Sequence, residues 1–308
     1  MGSGHAAQIL DGKIPRLVLT AVATHSPARR PSLSGVKFFT EPAALLKSGL
    51  VDAVLIATPH PSHAPLALAA LKAGLHVLLE KPIAVHKAEA VRLIAAAKRR
   101  PQQVFGAVFN QRTNPYYRKI RDLVRGGSLG AVRRINWTIT NWFRSEAYYQ
   151  SSAWRATWAG EGGGVLLNQC PHNLDLLQWM TGMPVRVRAH CHFGRYHDIE
   201  VEDDVSAYLE YKDGAHAMFI ASTGEAPGTN RLEIVADGGR MEFSRTAPLP
   251  AGPTVEAVAG EIERTLLAHS AKVTGKEVRR VVLAGEGEDA ARLADGLRAR
   301  LRCDVVQA

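Results

Sequence analysis

The first 110 residues alternate two hydrophobic rhythms. Leu17–Ala23 and Asp52–Ala57 are short runs dense in Val, Leu and Ile, the pattern of strands buried on both faces. Ser62–Ala73 instead carries Leu66, Ala69 and Ala70 at helical spacing and stops at Gly74, a residue suited to the position past a helix end. His76–Leu79 and Val104–Phe109 read as further strands, with a helix over Lys87–Arg100 between them. Strand, helix, strand, repeated, predicts a doubly wound parallel sheet.

From Asn114 the rhythm changes. One helix (Tyr116–Arg125) ends at Gly126-Gly127, and a long strand-like run, Val132–Phe143, follows. The turn Gly162-Gly163-Gly164 leads to a helix near His172–Met180. Four β-like runs come next, Val185–Phe193, Val205–Tyr211, Ala215–Ala221 and Arg231–Val235, with turns such as Asp213-Gly214 and Asp237-Gly238 between them. Strands in succession without helices predict an open, mainly antiparallel sheet with helices on one face. Beyond Arg245, Pro248, Pro250, Gly252 and Pro253 form a linker. A helix (Val255–Lys272), a strand (Arg280–Ala284), a helix (Asp289–Leu301) and a last strand (Asp304–Val306) follow. The expected fold is α/β followed by α+β, in three parts: 1–113, 114–245 and an atypical α/β tail over 246–308.

Composition narrows the class. The 308 residues are 46% hydrophobic and 22% charged, an ordinary globular balance, and no run approaches the ~20 apolar residues of a bilayer helix. Cys170, Cys191 and Cys303 are odd in number and far apart, so neither a disulfide framework nor a metal site is expected, and a reducing cytoplasm fits. The net charge of +9 and the basic stretch from Arg112 to Arg134 read as a solvated helix face. No nucleic-acid motif accompanies them, and a basic surface also suits an anionic dinucleotide.

Chemistry concentrates at predicted strand ends. Thr58-Pro59-His60, His63 and Glu80-Lys81-Pro82 follow parallel strands, where loops reach the crevice in which open α/β sheets bind ligands. Lys81, between a carboxylate and a proline, is aimed to donate to a substrate oxygen, or is a surface lysine in a loop. If a helix starts near Asn168, then Asn168, His172 and Asp175 share one face. His172 is then a general base or acid, or a core histidine satisfied by Asp175. Trp154, Arg155 and Trp158 offer aromatic faces and a guanidinium fork suited to a sugar-like substrate, or to packing.

Together these segments resemble the Gfo/Idh/MocA family of NAD(P)-dependent oxidoreductases over residues 1–245. The resemblance rests on Glu80-Lys81-Pro82, the Thr58-Pro59 loop with His63, Phe109-Asn110-Gln111-Arg112, and the triple glycine leading to His172. It implies a Rossmann domain and an open-sheet domain that forms the substrate site and a homo-oligomer face. It also implies hydride transfer between nicotinamide and a sugar, cyclic polyol or related alcohol. Lys81 and His172 fall on the catalytic positions. Cofactor contacts are expected from Gly2, Thr24, His25, Arg29, Thr58, Pro59, His60, His63, Glu80, Lys81 and Gln111. Arg112, Trp154, Arg155 and Asp175 are expected at the substrate.

Three departures qualify the resemblance. Asn168 stands where many members carry an aspartate, and an amide carries no charge to support an imidazolium. Met1-Gly2-Ser3 reads as the end of a Gly-x-Gly-x-x-Gly turn with Gly2 as its third glycine, so the central first strand and two glycines are missing. A truncated or non-catalytic relative, acting in binding or assembly, is therefore the alternative to an enzyme. The tail resembles the end of actin-like ATPases of pilus assembly, around Leu283–Gly287. Alternatively, Val281–Ala290 supplies the missing strand and glycine turn. Thr24, His25, Arg29 and Arg30, with no carboxylate among residues 24–30, favour NADP over NAD.

Overall fold

Two parallel sheets, rather than one, emerge from the first hundred residues. The structure, a computed structural model, describes residues 1–25, 35–226, 228–246, 280–283 and 304–307. Its contacts divide the chain into one unit over Met1–Ser244 and a second over Arg245–Ala308. Helix α1 (Gly2–Leu10) opens the chain. Strand β1 (Ala21–Ala23) then pairs in parallel with β2 (Lys37–Phe39), which α2 (Pro42–Leu46) follows. Strands β3 (Ala53–Ile56), β4 (His76–Leu79) and β5 (Phe105–Ala107) form the other parallel sheet, with α3 (His63–Lys72) and α4 (Lys87–Lys98) as crossovers.

The parallel, doubly wound rhythm is as the hydrophobic runs predict. Ile56, Ala67, Ala70, Leu71, Val77, Leu79 and Leu93 make the core of the β3–β5 half. The β1–β2 and β3–β5 sheets stand apart: no described strand joins them. Helix α1 buries none of its residues.

The second half is a single mixed sheet. Helix α5 (Pro115–Arg125), whose first turn Asn114 caps by accepting from the Tyr116 N–H, precedes β6 (Val132–Ile139). Helices α6 (Glu146–Gln150) and α7 (Pro171–Thr181) come next. Strands β7 (Arg186–Phe193), β8 (Glu202–Glu210), β9 (His216–Ser222), β10 (Thr229–Ala236) and β11 (Gly239–Thr246) complete the order β11-β10-β6-β9-β8-β7. Strands β6 and β9 run parallel, while β10–β6, β9–β8 and β8–β7 are antiparallel.

Strand alternation turns Ile135, Trp137, Ile139, Ala217, Phe219, Leu232 and Ile234 to one face, where Tyr117 and Ile120 of α5 and Leu176, Leu177 and Met180 of α7 cover them. Trp137 is fully buried at the centre, its Nε1–H donating to Asn230 Oδ1 at 2.8 Å. The other face carries Asn136, Thr138, Met218 and Ile220 around a shallow depression with Arg231 and Glu233.

Several expectations need correction. Strand β6 stops at Ile139 instead of Phe143: the Thr140 and Asn141 N–H groups both donate to the Thr229 carbonyl, at 2.7 and 3.2 Å, which breaks the ladder register. Helix α6 and strand β11 have no counterpart in the sequence reading. Helix α7 begins at Pro171, not near Asn168, since proline favours the first helical position and disfavours helix before it. In the C-terminal unit, β12 (Arg280–Leu283) pairs in parallel with β13 (Asp304–Gln307) in a sheet of two. The strand at 281–284 therefore finds its partner within the tail, across a connection long enough for one crossover, and does not replace the missing first strand. The predicted linker, the helices 255–272 and 289–301, and Cys303 lie outside the described residues.

Replacing Trp137 by alanine empties the centre of the mixed-sheet core and is expected to destabilise the fold by about 3–5 kcal/mol. Val91→Ala, at an exposed position of α4, should stay within about 0.5 kcal/mol. Urea unfolding followed by circular dichroism checks both.

Candidate active site

One wall of the site is built by the loops that leave β3 and β4. After β3, Thr58-Pro59 enters a 3-10 turn over His60–Ser62, in which Ser62 Oγ lies 2.7 Å from both Thr58 Oγ1 and the Pro59 carbonyl. The buried His63 ring ties this loop to the next: Nδ1 lies 2.7 Å from the Pro82 carbonyl and Nε2 2.8 Å from the Thr58 carbonyl. After β4 the chain runs into Glu80-Lys81-Pro82, where the Lys81–Pro82 bond is cis. Glu80 is buried; it accepts from the Lys81 N–H at 3.2 Å and pairs with His5 Nε2 at 2.6 Å, bringing α1 to the strand ends. There, a Cβ on Gly2 would meet Ala57 Cβ at an ordinary 3.7 Å.

The facing wall comes from the triple glycine. Gly162 sits at φ +83°, a conformation that favours glycine, and a Cβ on Gly164 would strike the Glu202 carbonyl. The buried Glu202 carboxylate fixes the turn by accepting from the Gly164 and Leu166 N–H groups at 2.9 and 3.1 Å. The turn ends by presenting the Asn168 backbone carbonyl to Lys81 Nζ at 2.7 Å. Helix α7 starts three residues later with His172 in its first turn.

Lys81 and His172 are thus brought together from opposite walls. Burial lowers the Lys81 pKa, opposed by Glu80 and Glu161. Burial also lowers the His172 pKa, and the Lys81 ammonium lowers it further. The His172 ring stands edge-on to Phe109, with centroids 5.9 Å apart, and its buried Nδ1 has no partner in the protein. Asp175 does not satisfy it. That carboxylate is held by Arg112 in a two-point ion pair of 2.7 and 2.5 Å, with the guanidinium stacked over Trp179.

The other anticipated residues fall into two groups. Trp154 and Arg155 belong to the same neighbourhood: the Arg155 guanidinium lies over Trp154 and Tyr148 and donates to the Tyr148 hydroxyl at 2.8 Å. His60 packs edge-on to Trp154, and its Nδ1 lies 2.9 Å from the Glu161 carbonyl; burial holds its pKa down at about 4. Gln111 lies in the short turn Asn110–Thr113 after β5. Thr24 and His25, in contrast, stand at the end of β1 in the other sheet. His25 there faces the exposed Glu41 carboxylate at 4.0 Å, an acidic neighbour the local sequence did not suggest. Arg29 and Arg30 lie outside the described residues.

Sequence reasoning missed Glu161 and Tyr148. Glu161 is 1% exposed, its Oε2 accepting from the Ala156 N–H at 2.7 Å and its Oε1 from the Asn168 side-chain amide. Tyr148 Oη lies 3.4 Å from the same amide. The available signal was adjacency, since Glu161 immediately precedes the three glycines. Among the described residues no His, Cys, Asp and Glu cluster suits a metal ion, and no helix is long and apolar enough to cross a membrane.

A dinucleotide fits this site at its reacting end. An aimed ammonium and a buried, unpartnered imidazole nitrogen are the donor and acceptor set an alcohol or carbonyl oxygen beside nicotinamide requires. At the other end, α1 is held to the strand ends by the His5–Glu80 pair.

Comparison with known proteins gives the family and the fold. Residues 1–107 match the family description "Oxidoreductase family, NAD-binding Rossmann fold", and residues 117–242 match "GFO/IDH/MocA C-terminal domain". Trans-1,2-dihydrobenzene-1,2-diol dehydrogenase of Mus musculus is 31% identical over 219 residues, 65% of this chain and 62% of the relative. The chain thus spans about three fifths of that relative's length. Inositol 2-dehydrogenase of Streptomyces avermitilis is 32% identical over 187 residues, 59% of this chain and 50% of that one. In fold, the WlbA dehydrogenase of Bordetella pertussis, solved with NADH and UDP-GlcNAcA, superposes with a TM-score of 0.73 at 22% identity, covering 89% of this chain and 86% of its own. With both halves of the first unit matched in order, the chain belongs to the Gfo/Idh/MocA family of oxidoreductases.

Proposed function

We propose that the chain is an NAD(P)-dependent dehydrogenase or reductase acting on a CH–OH group of a sugar, cyclic polyol or related alcohol. The observation that carries this reading is the convergence of Lys81 and His172 from opposite walls, one ammonium aimed by the Asn168 carbonyl and one imidazole with a buried, unpartnered nitrogen. When bound, the dinucleotide supplies the hydride acceptor or donor at its nicotinamide ring.

The protein's part is acid–base chemistry and orientation. Lys81 donates a hydrogen bond to the reacting oxygen and favours its developing negative charge. His172 takes the hydroxyl proton in the oxidative direction and returns it in the reductive one. Burial and the neighbouring ammonium keep its imidazole neutral at physiological pH, the form that accepts a proton. Arg155, stacked between Trp154 and Tyr148, presents a fixed fork to hydroxyl groups, while the Arg112–Asp175 pair braces α7 beside His172. Gly2, Thr58, Pro59, His63, Glu80 and Gln111 hold or shape the dinucleotide side of the cleft. The face of the mixed sheet that bears Asn136, Thr138, Met218 and Ile220 is the surface for a second copy of the chain, and the working compartment is the cytoplasm.

Of the two dinucleotides, NADP is favoured. Residues 24–30 contain hydroxyl, imidazole and guanidinium groups but no carboxylate, which suits a 2′-phosphate better than a bare 2′-hydroxyl.

Fluorescence titration with NADPH and NADH tests the reading directly. Saturable binding, tighter for NADPH, is expected; no binding to either would favour a non-catalytic relative. Arg29→Ala with Arg30→Ala should weaken NADPH by roughly tenfold or more and NADH little, a difference of about 1.4 kcal/mol. Equal losses would count against NADP preference.

Given turnover of a polyol, Lys81→Ala and His172→Ala should each lower kcat by roughly 10²–10⁴-fold. The sign of the pH dependence follows from His172. Its lowered pKa keeps the base unprotonated further into acid, so oxidation should lose half its rate at a pH below the ordinary histidine value of 6.5. An acid limb centred above that value would exclude His172 as the base.

A further inference from the structure

Asn168 cannot carry charge, yet the charge its position lacks is present one contact away. Both oxygens of the Glu161 carboxylate accept from N–H donors: Oε2 from Ala156 at 2.7 Å, Oε1 from the Asn168 amide. Two acceptor contacts, one on each oxygen, are what a carboxylate anion satisfies without donating. The same Asn168 residue bonds both partners, Glu161 through its side chain and Lys81 Nζ through its backbone carbonyl. We infer that Glu161 is a positioning residue that supplies, through Asn168, the negative charge that holds the Lys81 ammonium in its charged, aimed state.

The surroundings agree in sign. Lys81 is largely buried, and burial alone would drive it toward the neutral amine. Among the groups around it, Arg144 opposes its charge, while Glu80, Glu161 and the Cys170 thiol support it. Glu80 is already engaged by His5 and by the Lys81 backbone. Around Glu161, Arg155 and Lys81 favour the anion and Glu202 disfavours it. His60 binds the backbone carbonyl of Glu161 and fixes the residue without touching its carboxylate. Burial raises the Glu161 pKa. Two N–H donors and the cations Arg155 and Lys81 oppose that cost.

The role in turnover rests on the oxidoreductase reading, but the charge relation to Lys81 does not, and it can be read without cofactor or substrate. Competitive acetylation of the intact chain across pH, quantified by mass spectrometry with exposed Lys72 as the internal reference, gives the titration of Lys81. Glu161→Gln should shift that titration down by roughly one pH unit, making Lys81 about tenfold more reactive at a fixed pH on the acid side. Glu161→Asp, and the double variant Glu161→Gln with Asn168→Asp, should restore it to near the wild-type value, because each returns a carboxylate to the pair. An unchanged Lys81 titration in a folded Glu161→Gln chain would overturn the inference. So would the same downward shift in Glu161→Asp, which would mark a role of shape and not of charge. Should Glu161→Gln not fold, the double variant decides by itself: wild-type reactivity supports the charge role and a downward shift refutes it. Absence of turnover in the wild-type chain would count against the dehydrogenase reading and leave this result standing.

Discussion

One hydrogen bond ties together the two loops that carry the site's charged groups: Lys81 Nζ to the backbone carbonyl of Asn168, across 87 residues of sequence. The lysine is carried by the loop after β4 of a parallel sheet, and the carbonyl by a glycine turn resting on the mixed sheet. Neither half makes a site alone. The bond requires Glu202 to fix the turn, because glycines that permit close approach also permit disorder unless their N–H groups are claimed. It requires His63 as well, whose ring spans the Thr58 and Pro82 carbonyls and sets the Lys81 loop against the α3 N-terminus. Once those two braces are in place, His172 arrives in the first turn of α7 with no further adjustment.

That geometry also explains why buried charge is tolerated. Lys81, Glu80, Glu161 and Glu202 are removed from bulk water, and each anion is met by backbone N–H groups, a histidine or an amide. Charges so paired are favourable relative to the same charges buried alone, and breaking one partnership exposes the rest to its uncompensated field. The site behaves as one network, and an isolated view of Lys81 as donor or His172 as base misses what sets their protonation.

Most of the fold, and the loops that carry Lys81 and His172, could be read from sequence, for identifiable reasons. Buried parallel strands are continuous apolar runs, so β3 and β4 announce themselves, and Glu80-Lys81-Pro82 follows β4 directly. His172 was placed by the helical run over His172–Met180, and Pro171 fixes where that helix starts. What failed was what depends on contacts distant in sequence. Placing Asn168 on the helix ignored the same Pro171. Pairing His172 with Asp175 overlooked Arg112, 63 residues away, which takes both carboxylate oxygens. Glu161 escaped because nothing local distinguishes a carboxylate that will be buried from one that will be solvated; the difference is the Ala156 N–H and Asn168 amide that fold onto it. His25 drew Glu41 from the next strand's far end by the same long-range logic.

The divided parallel sheet separates two properties that are usually tied. The reacting end depends on β3, β4, the glycine turn and α7, all of which pack into continuous cores. The phosphate end depends on α1 and β1, which do not: α1 buries no residue and is held chiefly through His5 and Glu80. In such enzymes the phosphates and adenosine act as remote handles, whose binding energy positions the reacting ring. On the proposed reading, a weak hold on the phosphates costs mainly the uniform part of that energy, which governs affinity. On the same proposed reading, the barrier for a correctly placed substrate falls to Lys81, His172 and the carboxylates behind them. Weak dinucleotide binding in this chain would therefore describe the state of its β1–α1 region and leave the chemistry of its active site intact.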